Sequence, residues 1–262
     1  MYKLVVLDLD GTLLNDNALI SNYNKELLFD LAAQDVKIIL ASGRPYQSML
    51  KFAEELKLDT PLVANNGALI KRPKGEVVAQ QGIELDLAEE IIDYANKRNL
   101  HISFYFADRI CVEEINDKAD VHIEEEKVMP QAVGDLRGVL KEEPINILFN
   151  LEPEKMKQTV KELEDKFGQQ VSIAQTTSNY IDVTGQNVNK GTGVERLLDK
   201  YNLSASEVAA FGNNYNDLAM LKLADLGVVT ANAPQEIKEK ADMVTKSNEE
   251  DGVAKALEEI FI

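Results

Sequence analysis

Short apolar runs and longer amphipathic stretches alternate along the first third of the chain. An aliphatic, β-branched run predicts a strand over residues 3–7, because apolar runs of this length read as buried parallel strands. Ser21 is placed to cap a helix running to about residue 33. A second strand is expected over 36–40, and Pro45 suits the first turn of a helix reaching about residue 56. A third strand is expected over 62–64. Strand, helix, strand, helix, strand implies a parallel sheet with right-handed crossovers. The tail repeats the pattern: a helix from Lys190 to about residue 201, a strand over 208–211 and a helix after it, a strand over 226–229, and a last helix over about 249–260.

The middle differs. A helix over 87–97, strands over 101–106 and 110–113, and a helical acidic stretch near 118–126 are followed by a strand over 145–151. A helix over 154–167 and strands near 171–174 and 180–183 complete it. None of these strands ends in the polar residues that close the outer ones. The predicted organisation is therefore an α/β core, a doubly wound, Rossmann-like parallel sheet over 1–81 and 186–262, with an inserted α/β domain over 82–185.

Charge narrows the partners. Of 262 residues, 28 are Lys or Arg and 45 are Asp or Glu, a formal net charge of −17. That balance opposes binding to nucleic acid or to an anionic membrane surface. No apolar run of 18 residues is present, so no membrane-spanning helix is expected. Residues 1–7 read as a strand and not as a signal peptide. The single cysteine, Cys111, lies in an apolar run and is expected to be a buried thiol. It cannot form an internal disulfide, which suits a cytoplasmic protein. His101 and His122 have no Cys or His partner at ligand spacing, and the Glu124–Glu126 run is expected to be a solvated face. Phe104, Tyr105 and Phe106 read as strand packing rather than as a ring-stacking wall, since alternate residues must face a core.

The chemistry collects at the strand ends. After the first strand comes Asp8-Leu9-Asp10-Gly11-Thr12. Residues at alternate strand positions face the same way, so Asp8 and Asp10 are expected side by side at the end of the sheet where ligands bind. Two buried carboxylates repel unless something positive lies between them. A divalent cation answers that need, and Mg²⁺ prefers carboxylate and phosphate oxygens. Gly11 lets the backbone turn so that its N–H groups face an anion.

Four motifs then stand in order: Asp8-Leu9-Asp10-Gly11-Thr12, Ala41-Ser42-Gly43-Arg44, Asn189-Lys190-Gly191, and Gly212-x-x-x-Asn216-Asp217. In this order the chain resembles the haloacid dehalogenase-like superfamily of hydrolases, and within it the Cof-type sugar-phosphatase branch, whose α/β cap is inserted after the third strand. Asn66-Gly67-Ala68 and Asp251-Gly252-Val253 resemble further signatures of that family. The resemblance implies a phosphatase that hydrolyses small phosphorylated metabolites, sugar phosphates or phosphorylated cofactors, with Mg²⁺ as cofactor. It implies Asp8 as nucleophile, forming an aspartyl-phosphate, and Asp10 as general acid and then base. Asp10 should then hold its proton more tightly than Asp8. Leu9, Ser42, Gly43, Lys190 and Asn216 are implied to bind the phosphate. Asp8, the carbonyl of Asp10 and Asn213 are implied to hold the metal. Gly11, Thr12, Arg44, Asn66 and Asp217 are supporting, with Asp217 orienting Lys190 or a metal-bound water.

One position departs from the family pattern. Asn213 stands where the family usually has a metal-binding aspartate, so it keeps an oxygen and drops the charge. Two alternatives to a hydrolase remain open: a phosphomutase or phosphotransferase on the same core, and a catalytically weak protein that binds phosphorylated metabolites.

Overall fold

A computed structural model of the chain describes residues 2–119, 123–124 and 126–261. In chain order the elements are β1 (Leu4–Leu7), α1 (Asn22–Ala33), β2 (Lys37–Leu40), α2 (Tyr46–Glu55), β3 (Leu62–Ala64), β4 (Leu69–Lys71) and β5 (Val77–Gln80). There follow α3 (Leu85–Arg98), β6 (His101–Tyr105), β7 (Ile110–Val112), β8 (Gln131–Ala132), β9 (Asn146–Asn150), α4 (Pro153–Phe167), β10 (Val171–Gln175) and β11 (Tyr180–Gly185). The tail holds α5 (Lys190–Tyr201), β12 (Val208–Gly212), α6 (Leu218–Leu223), β13 (Leu226–Val229), α7 (Gln235–Lys238), β14 (Met243–Val244) and α8 (Gly252–Phe261). The chain divides into two compact units, one of residues 1–43, 49–79 and 189–262, the other of 44–48 and 80–188.

In the first unit a parallel sheet runs in the order β14-β13-β12-β1-β2. A single parallel bridge from Ala41 to Val63 carries it on toward β3. β1 lies inside it, between β12 and β2, and all four of its residues are apolar and buried, as suits a strand flanked on both edges and covered on both faces. The connection from β1 to β2 goes one way and the chain later returns to β12 on the other side. The reversal opens a crevice at the carboxyl ends of β1 and β12, the position where doubly wound sheets bind ligands.

The predicted helix start at Ser21 is found: its side chain accepts from the backbone N–H of Asn24. The hairpin of β4 and β5 was not legible as strands, because runs of three and four residues carry too little periodicity. The Pro73-Lys74-Gly75 turn between them was the available signal, and Gly75 has φ +96°. The last helix starts later than expected. Residues Asn248–Glu250 form a 3₁₀ turn and Asp251 then takes φ +57°, which breaks the helical path before Gly252.

The second unit is built on a sheet ordered β10-β11-β9-β6-β7-β8, antiparallel except for the β7–β8 pair. One face presents Ile102, Phe104, Ile147, Phe149, Ile181 and Val183 to a core shared with Ile91 and Tyr94 of α3 and Leu163 and Phe167 of α4. Phe104 and Phe106 pack edge to face within it, as strand packing predicts. Tyr105 points to the opposite face, where its hydroxyl donates to Glu126. Cys111 is buried, and burial pushes its thiol up. The helix expected near 118–126 lies partly outside the described residues, and His122 and Glu125 lie wholly outside them. Among the described residues no helix is long and apolar enough to cross a membrane.

An ion pair ties the loop before β12 to the start of β1. Glu207 takes the Lys3 ammonium at 2.6 Å and the Ser204 backbone N–H at 2.9 Å. The Lys3 hydrogen bond, and then those from Ser204, lower the Glu207 carboxyl from its usual 4.5 to about 2. A depressed carboxyl stabilises the fold above its unfolded pKa, and the benefit is lost as pH falls through the folded one. Glu207→Gln is therefore expected to lower Tm at pH 7 by on the order of 1–2 °C, as for an exposed pair. In thermal melts the gap to the unsubstituted protein should close as pH falls from about 4.5 to about 2.

Candidate active site

At the carboxyl end of β1 the backbone leaves the sheet at Asp8, whose N–H donates to Phe211 O at 3.0 Å. Asp8 is 4% exposed. Its carboxylate accepts from the Thr12 hydroxyl at 3.0 Å and from the Lys190 ammonium at 2.6 Å. Lys190, 1% exposed at the first position of α5, also donates to Asp217 at 2.6 Å. Asp217 is fully buried. Its second oxygen accepts the backbone N–H groups of Asn213 and Asn214 at 2.8 and 2.9 Å. The loop after β12 is thus held by the same carboxylate that holds the lysine.

A cation at a helix N-terminus opposes the helix dipole. It is retained here because two buried carboxylates outweigh that effect. Burial alone would push Lys190 down; Asp217 and Asp8 reverse this and hold it above its usual value. Asp8 moves the other way from an ordinary paired carboxylate. Burial first, then the Asp217 charge, raise it to about 7, with Lys190 opposing. With one ammonium between two carboxylates, the triad carries a formal excess negative charge when all three are ionised.

Asp10 is placed differently from expectation. It is exposed, whereas Asp8 is buried, so the two are not a buried pair. Burial falls on Asp8. The physical reason is the turn: Gly11 has φ +76° and swings the chain out of the sheet directly after Leu9, whose side chain is wholly buried. A Cβ at Gly11 would stand 2.2 Å from the Asn213 amide nitrogen, so the turn needs both glycine's conformation and its missing side chain. The Gly11 carbonyl is fixed by the Thr230 hydroxyl at 3.1 Å and the Asn232 amide at 2.8 Å. These two contacts were not foreseen; the polar residues that follow β13 were the signal for them.

Ser42 follows β2 and is buried, its N–H on Val63 O and its carbonyl accepting from Asn66 N–H. Asn65, Asn66 and Gly67 take φ values of 47°, 54° and 99° in succession. This left-handed turn lays the Asn66 amide against Gly43 and lets its oxygen accept from Asn216 at 3.0 Å. Ser42, Gly43, Asn66 and Asn216 therefore form one connected arc. Arg44 belongs to the short 44–48 segment that groups with the second unit.

The donors suit a hard cation. The Asn213 amide oxygen faces the Thr12 hydroxyl at 3.4 Å, a long contact for a hydroxyl whose shorter bond goes to Asp8. Among the described residues no three His, Cys, Asp or Glu side chains converge as a metal cluster. A cation here would rely on carboxylate, amide and carbonyl oxygens, a set that Mg²⁺ accepts when phosphate and water complete it.

A doubly wound parallel sheet interrupted by a second α/β unit, with an Asp–Lys–Asp triad at its switch point, is the architecture of a Rossmann-like hydrolase. Residues 5–257 match the family model of the haloacid dehalogenase-like hydrolases, and the chain belongs to that family. It is similar to the 5-amino-6-(5-phospho-D-ribitylamino)uracil phosphatase YitU of Bacillus subtilis, at 28% identity over 98% of this chain and 97% of the relative. The Bacillus subtilis phosphatase YcsE, named for the same substrate, is 29% identical over 97% and 94%. The crystal structure of a Bacteroides thetaiotaomicron haloacid dehalogenase-like hydrolase superposes with a TM-score of 0.92 at 28% identity, covering all of both chains. A Thermotoga maritima crystal structure does so with 0.91 at 31% identity, covering 100% of this chain and 98% of that one. Membership and these full-length relatives make the protein a phosphoric monoester hydrolase.

Lys190→Met would leave two carboxylates buried without their cation. We expect a loss of about 3–5 kcal/mol in urea unfolding, the range for breaking a buried ion pair. Asn213→Asp restores a charge beside Asp8 and should tighten Mn²⁺ binding roughly tenfold, about 1.4 kcal/mol, read by electron paramagnetic resonance of the free ion.

Proposed function

We propose that the protein is a Mg²⁺-dependent phosphatase of small phosphorylated metabolites that works through an aspartyl-phosphate on Asp8. The observation that carries the proposal is the placement of Asp8 at the switch point, gripped by Lys190 and Thr12. The arc of Ser42, Gly43, Asn66 and Asn216 lies in the same unit. The Asp8 carboxylate, the Asp10 carbonyl and the Asn213 amide oxygen would hold Mg²⁺, which would supply charge neutralisation for the phosphoryl group.

The residues divide the work as follows. The Asp8 carboxylate attacks phosphorus, and the bond to the ester oxygen breaks. Asp10, on the solvent-facing side of the turn, gives that oxygen its proton. Its carboxylate then takes a proton from water, which attacks phosphorus, breaks the Asp8–phosphate bond and releases inorganic phosphate. Lys190, the Ser42 hydroxyl, the Asn216 amide and the N–H groups of Leu9 and Gly43 hold the phosphate oxygens. Asp217 acts through Lys190 and through the two loop N–H groups it accepts. In this reading residues 82–185 are the cap that excludes water and selects the leaving group.

Substrates are small. The net charge of −17 disfavours a nucleic-acid polymer, and two relatives are named for a phosphorylated ribityl compound. The single cysteine fits a cytoplasmic setting. Asn213 alone favours a second reading, a slow protein that binds phosphorylated metabolites.

Phosphate release from p-nitrophenyl phosphate and a panel of sugar phosphates separates the two readings. The hydrolase is expected to turn over with Mg²⁺, to stop in EDTA, and to fall roughly 10³-fold or more in Asp8→Asn. Folded, Mg²⁺-saturated protein no faster than Asp8→Asn would leave only the binding reading. Phosphate appearing on an acceptor other than water would make the enzyme a phosphotransferase.

A further inference from the structure

The turn that carries Asp10 is fastened by side chains from the far end of the chain. Within the turn, Leu13 N–H donates to Asp8 O at 3.3 Å, and the N–H groups of Thr12 and Leu14 donate to Leu9 O at 3.2 and 2.9 Å. These bonds close its base and leave Asp10 and Gly11 at the tip. The Gly11 carbonyl accepts from the Thr230 hydroxyl at 3.1 Å and the Asn232 amide at 2.8 Å, so both of its lone pairs are engaged.

Asn232 does more than bond Gly11. Its amide oxygen accepts the Asn248 N–H at 3.2 Å. The Asn248 side chain is buried and donates in turn to Leu14 O and to Asp16, each at 3.1 Å. Gly11, Asn232, Asn248 and Leu14 thus form a closed circuit that joins the Asp10 turn to the loop after β13 and to the 3₁₀ turn before α8. Asn232 is exposed, and water would satisfy a carbonyl there equally. What two fixed donors add is direction. They set the plane of the Gly11–Thr12 peptide, and with it the spacing of Asp10 from Thr12, whose hydroxyl holds Asp8 at 3.0 Å.

We infer that Thr230 and Asn232 are positioning residues: through the Gly11 carbonyl they hold Asp10 where it gives its proton to the departing ester oxygen. The inference rests on the phosphatase reading, in which Asp10 is the acid, and goes beyond it by assigning two residues outside the four motifs. In that step the Asp8–phosphorus bond forms, the bond from phosphorus to the ester oxygen breaks, and the Asp10 proton passes to that oxygen. Displacing a catalytic group by about 1 Å can cost about 10²-fold in rate.

The chemistry of the leaving group supplies a readout that a merely structural role does not move. p-Nitrophenolate is stable as an anion near neutral pH and departs without a proton, whereas an alkoxide departs only with one. A displaced Asp10 therefore slows an alkyl ester more than p-nitrophenyl phosphate. Loss of folded protein lowers both alike, and so does a weaker hold on the phosphoryl group that both share.

The test compares kcat/KM, which reads the steps up to departure of the leaving group, for p-nitrophenyl, phenyl and benzyl phosphate at saturating Mg²⁺, with Tm recorded for each variant. Thr230→Val and Asn232→Ala are each expected to lower the ratio of benzyl to p-nitrophenyl phosphate about threefold, and the double variant about tenfold, with phenyl phosphate between. Thr230→Ser keeps the donating hydroxyl and should keep the ratio. An unmoved ratio in the double variant overturns the inference whatever its Tm, as does a ratio that falls as far in Thr230→Ser as in Thr230→Val. Asp8-dependent phosphate release with unmoved ratios sinks this inference alone; no Asp8-dependent release from any of the three esters fails the phosphatase reading, and the inference falls with it.

Discussion

A single ammonium group shared by two buried carboxylates organises the core unit. Lys190 Nζ lies 2.6 Å from both Asp8 and Asp217, and these three side chains come from three separate stretches of the chain. β1 brings one, the start of α5 the second, the loop after β12 the third. Burying any one of them alone would be prohibitive. Together they require the sheet to place β1 beside β12, with the start of α5 at their carboxyl ends, so the pairing that fixes Asp8 also holds the topology in place.

Strain and close approach supply the remaining precision. Gly11 turns the chain away from the sheet where Asn213 leaves no room for a side chain. Gly67 has a backbone carbonyl, that of Asn189, 2.3 Å from where its Cβ would stand. That contact seats the Asn65–Gly67 turn against the residue that caps α5. Asn66 then reaches both Gly43 and Asn216. The strand ends that carry function are thus cross-braced by amide hydrogen bonds, and these hold geometry without adding charge to an acidic site.

The second unit follows another logic. Its apolar sheet face closes on two helices. The opposite face keeps polar groups buried, Asn146 donating to Asp182 among them.

Much of this was legible in the residues alone. Apolar runs and cap residues set β1, β3, β13 and α1, because local periodicity and capping act over a few residues. The ordered motifs named Asp8, Ser42, Lys190 and Asp217, because their chemistry is unusual at strand and helix ends. What the linear chain does not contain is distance. It could not show that Asp8 would be buried and Asp10 exposed, since that follows from the direction of one glycine turn. Nor could it show that Asp217 would hold Lys190 and the Asn213 loop at once, or that Asn146 would meet Asp182. Burial and hydrogen-bond pairing are properties of groups far apart in sequence, and only the folded chain decides them.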